Sequence, residues 1–128
     1  MIDHTSISVP DLDGVSEFYD AVMNVLGHAR VSESKGHIGY GVRTTEEGGE
    51  GSYISIVQSS QTFVPDNRHW AFRAPSRAAV EAFHRTAISY GGKCDGPPGP
   101  RPHYHLGYFA AFVLDPAGNR LEAVCHVR

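Results

Sequence analysis

Residues 4–11 read HTSISVPD and residues 69–76 read HWAFRAPS. Each stretch is a histidine, five residues, a proline, and then a residue of the type that caps helices. The two copies stand 65 residues apart, so His4 pairs with His69 and Pro10 with Pro75. The register persists downstream, where Val15 pairs with Val80, Phe18 with Phe83, Val22 with Ala87 and Gly27 with Gly92. A repeat that keeps both the His-to-Pro spacing and the apolar helix positions marks one supersecondary unit used twice.

Alternation assigns a strand to the start of each unit. Thr5, Ile7 and Val9 take one face and His4, Ser6 and Ser8 the other. In the second copy Trp70 and Phe72 oppose His69, Ala71 and Arg73. Both histidines therefore belong to the more polar face, and the apolar face is left for a helix. That helix follows in each copy. In the first, Asp13 is the expected N-cap, Val15, Phe18, Tyr19, Val22 and Val25 form the apolar stripe, and Gly27 ends it. In the second, Ser76 caps, Val80, Phe83, Ala87 and Tyr90 form the stripe, and Gly91 and Gly92 end it.

Short strands with turn signals between them complete each copy. In the first they are predicted at 29–32, 38–43 and 53–57, with the acidic glycine turn TTEEGGEG before the last. In the second, Cys94 opens a short strand, GPPGPRPHYH reads as a proline-rich loop, and 108–114 and 120–127 are strands around the turn Asp115-Pro116-Ala117-Gly118. The plan is βαβββ, twice, with modules of about 1–64 and 65–128. Neither module buries both its helix face and its sheet face alone, so the expectation is one α+β domain whose cupped, barrel-like mixed sheet carries its helices outside.

Bulk properties narrow the function. A hydrophobic content of 41% supports a core without disulfides. The net charge of -3 and the scattered Lys and Arg give no footprint for nucleic acid or a membrane surface. Cys94 and Cys125 sit in no metal or redox spacing and read as reduced thiols. No apolar run reaches the length of a membrane span and the first residues lack the pattern of a signal peptide, so the cytoplasm is the expected compartment.

The last strand places the third candidate. Leu121, Ala123 and Cys125 face one way and Arg120, Glu122 and Val124 the other. A carboxylate inside an apolar strand is costly unless it is paired or bound to a cation. Arg73 or Arg120 could pair with it, and either histidine taken alone is an ordinary surface or core residue. Taken together, His4, His69 and Glu122 offer two imidazoles and a carboxylate, a set that leaves coordination positions open for substrate.

The same residues carry a family resemblance. HTSISVPD followed by EFYDAV resembles the opening of vicinal oxygen chelate proteins, the glyoxalase, bleomycin-resistance and extradiol-dioxygenase superfamily. HWAFRAPSRAAVEAFH is similar to the start of the second half, and AFVLDPAGNRLEAV to the closing hairpin. The resemblance implies paired βαβββ modules cupped around one divalent metal ion (Fe, Mn, Zn or Ni), with ligands from the first and last strand of each module. Those positions are His4, His69, Glu122 and a fourth between 53 and 57. Aligning the turn glycines Gly51 and Gly118 puts Ser55 there, whereas the bare offset gives Val57. Neither is a carboxylate, so the four-ligand glyoxalase I set is not complete. The remaining trio is similar to that of extradiol dioxygenases and fosfomycin-resistance enzymes.

The resemblance implies a substrate with vicinal oxygens whose anion the metal stabilises, through extradiol-type oxygenation or glyoxalase-type lyase or isomerase chemistry. His105 and Tyr108, in a loop before the strand beside Glu122, are the candidates for proton transfer or substrate contact. Tyr104, Ser55 and Arg73 are candidate substrate contacts, with Ser6 and Ser8 lining the cup. His103 and His105 as a metal pair are the weaker arrangement. His28, His37, His84 and His126 read as surface residues. A homodimer is implied by the resemblance alone. The competing class is a metal-free protein that sequesters a drug in the same cup.

Overall fold

The computed structural model of the chain describes residues 1–48, 50–61 and 67–126. The first module runs β1 (His4–Val9), α1 (Ser16–Val25), β2 (Arg30–Ser34), β3 (His37–Val42) and β4 (Ser52–Gln58). The second runs β5 (Trp70–Arg73), α2 (Arg77–Ser89), β6 (Lys93–Pro100), β7 (Phe109–Leu114) and β8 (Arg120–Cys125). This is the βαβββ plan in both halves. The join between modules, at 64 and 65, and Val127 of the expected last strand lie outside the described residues.

The strands form two four-stranded sheets, ordered β1-β4-β3-β2 and β5-β8-β7-β6. In each, the first strand lies parallel to the last and the other pairs are antiparallel, so both sheets are mixed. Among the described residues the two sheets are not joined by strand pairing and no barrel closes. Side chains link them instead. Trp70 Nε1 donates to Thr5 Oγ1 at 3.0 Å, and Asn119 Nδ2 donates to the Ser8 carbonyl at 3.1 Å.

Alternation in β1 behaves as expected, with Ile7 and Val9 buried and Ser6 and Ser8 exposed. Phe18, Tyr19, Val22 and Met23 of α1 and Val80, Phe83 and Ala87 of α2 enter one shared apolar core with Ile54, Ile56, Val113, Leu121 and Ala123. One buried polar knot fastens the modules together. The Tyr19 hydroxyl donates to the Asp115 carboxylate, which also accepts from the Ala117 and Asn119 backbone amides and the Asn119 side chain. Burial, the charge of Asp115 and the hydrogen bond to it raise the Tyr19 phenol well above its usual range, so it remains a donor.

Two expectations need correction. Asp13 does not cap α1. The cap position is Val15, with no side-chain hydrogen bond, because the Leu12 carbonyl closes a turn onto the amides of Val15 and Ser16 while Val15 itself is buried. Ser76 does cap α2, accepting from the Ala79 amide at 3.1 Å. The proline-rich stretch is also not all loop. Residues through Pro100 form the edge strand β6, where proline's missing N–H leaves no ladder partner unpaired. The register shifts between Cys94 and Gly96 and between Gly96 and Gly99 absorb the irregularity.

Candidate metal and substrate site

The sheet registers settle which residues of the two modules correspond. In the first, Ser6 lies opposite Ser55, and in the second Ala71 lies opposite Glu122. Since Ser6 and Ala71 occupy the same place in the repeat, Ser55 is the counterpart of Glu122 and Val57 is not. The turn glycines gave the right alignment, and the bare offset fails because the loops before the last strands differ in length.

Glu122 is 2% exposed. Its Oε2 lies 3.0 Å from His69 Nε2, and its Oε1 accepts from the Tyr108 hydroxyl at 2.5 Å. Among the described residues no Arg or Lys pairs with it. Arg120 instead donates to Asp95 at 3.0 Å, and Arg73 forms no ion pair with Glu122 among the described residues. Burial comes first in raising the Tyr108 phenol, and Glu122 adds to it, so Tyr108 stays a neutral donor. His69 lies just ahead of β5 and packs edge-on to Phe112, their centroids 6.1 Å apart.

The third expected donor stands apart. His4 Nδ1 meets Asp3 Oδ1 at 2.7 Å on the exposed start of β1. The hydrogen bond from His4 lowers the Asp3 carboxyl below its usual range, with Thr44 contributing. Among the described residues no three His, Cys, Asp or Glu side chains converge as a metal-holding group. The second module therefore presents a two-donor half-site, His69 and Glu122, and His4 faces it only across shared space.

That space is an open cavity of about 880 Å³ between the modules. His4, Thr5, Tyr53, His69, Trp70, Phe72, Arg73, Tyr108 and His126 are among its walls. Ser55 is not on that wall. It is buried against His37 Nε2 at 3.0 Å, in a cluster where the Tyr53 hydroxyl bonds Ser32 and lies 3.4 Å from His37. Gly39 makes this cluster possible, because a Cβ there would overlap the Tyr53 hydroxyl.

The loop before β7 delivers Tyr108 to Glu122 and packs the Tyr104 ring against that of Tyr108 at a tilt of 44°, centroids 4.8 Å apart. His105 turns elsewhere, with Nε2 2.9 Å from His126 Nδ1. Three histidines read as plain surface residues do more than that. His126 and His28 line the cavity, and His37 is half-buried against Ser55. The signal for His126 was present, since Glu122, Val124 and His126 follow at steps of two along one strand face. Nothing in the sequence distinguished His28 or His37. Neither cysteine forms a disulfide. No helix among the described residues is long and apolar enough to cross a membrane.

Comparison with known proteins agrees with this geometry. The sequence model of the Glyoxalase/Bleomycin resistance protein/Dioxygenase superfamily matches residues 1–123. The chain is 31% identical over 123 residues to the uncharacterized protein PA2024 of Pseudomonas aeruginosa, covering 93% of this chain and 84% of that one. It superimposes with a TM-score of 0.79 and 28% identity on a glyoxalase/bleomycin resistance protein from Albidiferax ferrireducens, covering 98% of each chain. The fosfomycin resistance protein FosX from Mesorhizobium loti shares the fold at a TM-score of 0.66 and 16% identity, over 98% of this chain and 91% of that one.

Proposed function

The chain belongs to the Glyoxalase/Bleomycin resistance protein/Dioxygenase superfamily, and from that membership we propose that it is a divalent-metal-dependent enzyme acting on a small substrate with vicinal oxygens. Its reaction is either extradiol-type ring cleavage or a glyoxalase-type lyase or isomerase step. The observation that carries this reading is Glu122, a carboxylate 2% exposed whose partners among the described residues are an imidazole and a phenol. A buried charge held this way costs stability unless a cation completes it. The residues fit a metal in part. His69 Nε2 and the Glu122 carboxylate, 3.0 Å apart, are spaced as neighbouring donors on one ion. His4, held at Nδ1 by Asp3, would complete the set through Nε2.

When bound, the ion supplies Lewis-acid stabilisation to negative charge on the substrate oxygens. The protein's own part is to hold Tyr108 as a neutral hydrogen-bond donor beside Glu122 and to offer a cavity walled by Trp70 and Phe72 for the substrate body. His105, Tyr104 and Ser55 do not line that cavity, so Tyr108 and Arg73 carry the substrate-facing roles in this reading. We also read the chain as a homodimer, which light scattering coupled to gel filtration tests.

The second reading, a metal-free protein that binds a small molecule in the cup, is favoured because no three His, Cys, Asp or Glu side chains converge as a metal-holding group among the described residues. Metal analysis separates the two. The full chain is dialysed against Mn(II), Fe(II), Ni(II) or Zn(II), and the bound ion is counted beside His4→Ala, His69→Ala and Glu122→Gln. One ion per chain that is lost in His69→Ala and Glu122→Gln supports the enzyme. Full retention of the ion in both variants, or no ion taken up, sinks it.

A further inference from the structure

The described lining of the cavity includes the guanidinium of Arg73 and the imidazoles of His28 and His126, and none of it is Asp or Glu. The two carboxylates close behind the wall are already engaged, Asp3 by His4 and Thr44, and Glu122 by His69 and Tyr108. Arg73 has no carboxylate partner among the described residues. The rest of the wall includes the flat surfaces of Trp70, Phe72 and Tyr53.

His126 adds a directional donor. The Gly107 amide can only donate, and it reaches His105 Nδ1 at 3.1 Å, so that nitrogen carries no hydrogen. The hydrogen of neutral His105 is then on Nε2, which donates to His126 Nδ1 at 2.9 Å. His126 in turn must keep its hydrogen on Nε2, the nitrogen left over on a ring that lines the cavity. The two imidazoles stack with centroids 5.1 Å apart, and Tyr108 packs edge-on against both, which fixes the ring planes.

We infer that the cavity takes a small organic anion with a planar apolar body, and that His126, held in one tautomer by His105, donates to the anionic group together with Arg73. His105 is thus a positioning residue, one step removed from the ligand. This rests on the cavity being the ligand site proposed above, and it does not depend on which metal, if any, is bound.

Trp70 is the chain's one tryptophan and lines the cavity, so its fluorescence reports occupancy. The full chain is titrated with sodium benzoate and with benzamide, first as purified and then after EDTA. Benzoate is expected to bind in both states, with benzamide about tenfold weaker or worse, as befits the loss of a charge-assisted contact. Arg73→Met and His126→Ala each weaken benzoate by about tenfold. His105→Phe does likewise, while His105→Gln, which can still donate to His126 Nδ1, restores binding. Imidazole nitrogen NMR shifts should show a bare Nδ1 on His126 in the wild type and mixed tautomers in His105→Phe. Equal affinity for benzoate and benzamide overturns the inference. So does benzoate binding that survives Arg73→Met and His126→Ala, an absence of any benzoate response, or an unchanged His126 tautomer in His105→Phe. Failure of the metal reading is seen separately, because the EDTA titration uses no metal.

Discussion

Replacing Glu122 in two ways separates a carboxylate kept for a ligand from one kept for the fold. Glu122→Gln keeps the shape of the side chain and an acceptor for the Tyr108 hydroxyl, and removes the charge. In metal-free protein it should change stability by less than about 1 kcal/mol, and the sign can favour the variant, since an uncharged side chain is cheaper to bury. Glu122→Ala removes everything. The half-buried Tyr108 hydroxyl then loses a charge-assisted hydrogen bond worth about 1.5–3 kcal/mol. His69 is 45% exposed and can turn to water, so the loss of its contact adds at most about 1 kcal/mol. The sum is about 1.5–4 kcal/mol, a fall in Tm of roughly 5–16 °C for a chain of this size. Thermal melts in EDTA read these values, and metal counting reads the function. The expected pattern is near-native melting with lost metal in Glu122→Gln, and lowered melting with lost metal in Glu122→Ala. If Glu122→Gln melts as low as Glu122→Ala while metal uptake is untouched, Glu122 is a structural residue and the reasoning fails.

Other perturbations test the frame that carries the site. Tyr19→Phe removes the hydroxyl that binds buried Asp115, and a bond to a charged acceptor is worth about 1.5–3 kcal/mol, readable as a lower urea midpoint. Gly92→Ala sets a Cβ 2.8 Å from the carbonyls of Ala87 and Leu114 and from the Phe18 ring, so it should destabilise the end of α2 by at least about 1 kcal/mol in the same assay. Burial lowers the His84 imidazole below its usual range, so the folded state binds its proton less readily than the unfolded state does. His84 therefore withdraws stability as pH falls below 6.5, the ordinary imidazole value, and leaves it whole above. Urea midpoints at pH 7.5 and 5.5 should differ less in His84→Gln than in the wild type; an equal difference would show that His84 carries no such linkage.

Much of the frame could be read from side-chain spacing because the chain repeats itself. The pairing of His4 with His69 and of the two apolar stripes needs only periodicities of two and 3.6, and both survive folding. What escaped was decided by contacts between distant segments. Val15 takes the cap position of α1 because the core claims its side chain, which propensity at Asp13 does not register. Prolines 97, 98 and 100 read as loop because edge position, which exempts a residue from donating, is a property of the finished sheet. His126 read as a surface residue although it continues the alternation of Glu122 and Val124, and its tautomer depends on His105, 21 residues earlier and on a loop. His4 was read as one member of a triad. Its bond to the neighbouring Asp3 is a local alternative that strand phase cannot reveal.

The two modules also supply a control on each other. They share a backbone plan and a sheet register, yet they treat the corresponding position differently. In the first, Ser55 is satisfied by His37, the neighbouring Tyr53 by Ser32, and Gly39 leaves the space for both, so the pocket of side chains is neutral and filled. In the second, Phe112 stands where Gly39 does, and the position is held by Glu122, which no Arg or Lys neutralises among the described residues. A neutral solution was therefore open to this fold at this place, and one half of the chain uses it. Keeping a buried carboxylate in the other half costs stability that the fold does not require. The cation proposed beside Glu122 would account for this asymmetry, and the second module, where His69 and Tyr108 hold that carboxylate, is the half where chemistry is to be sought.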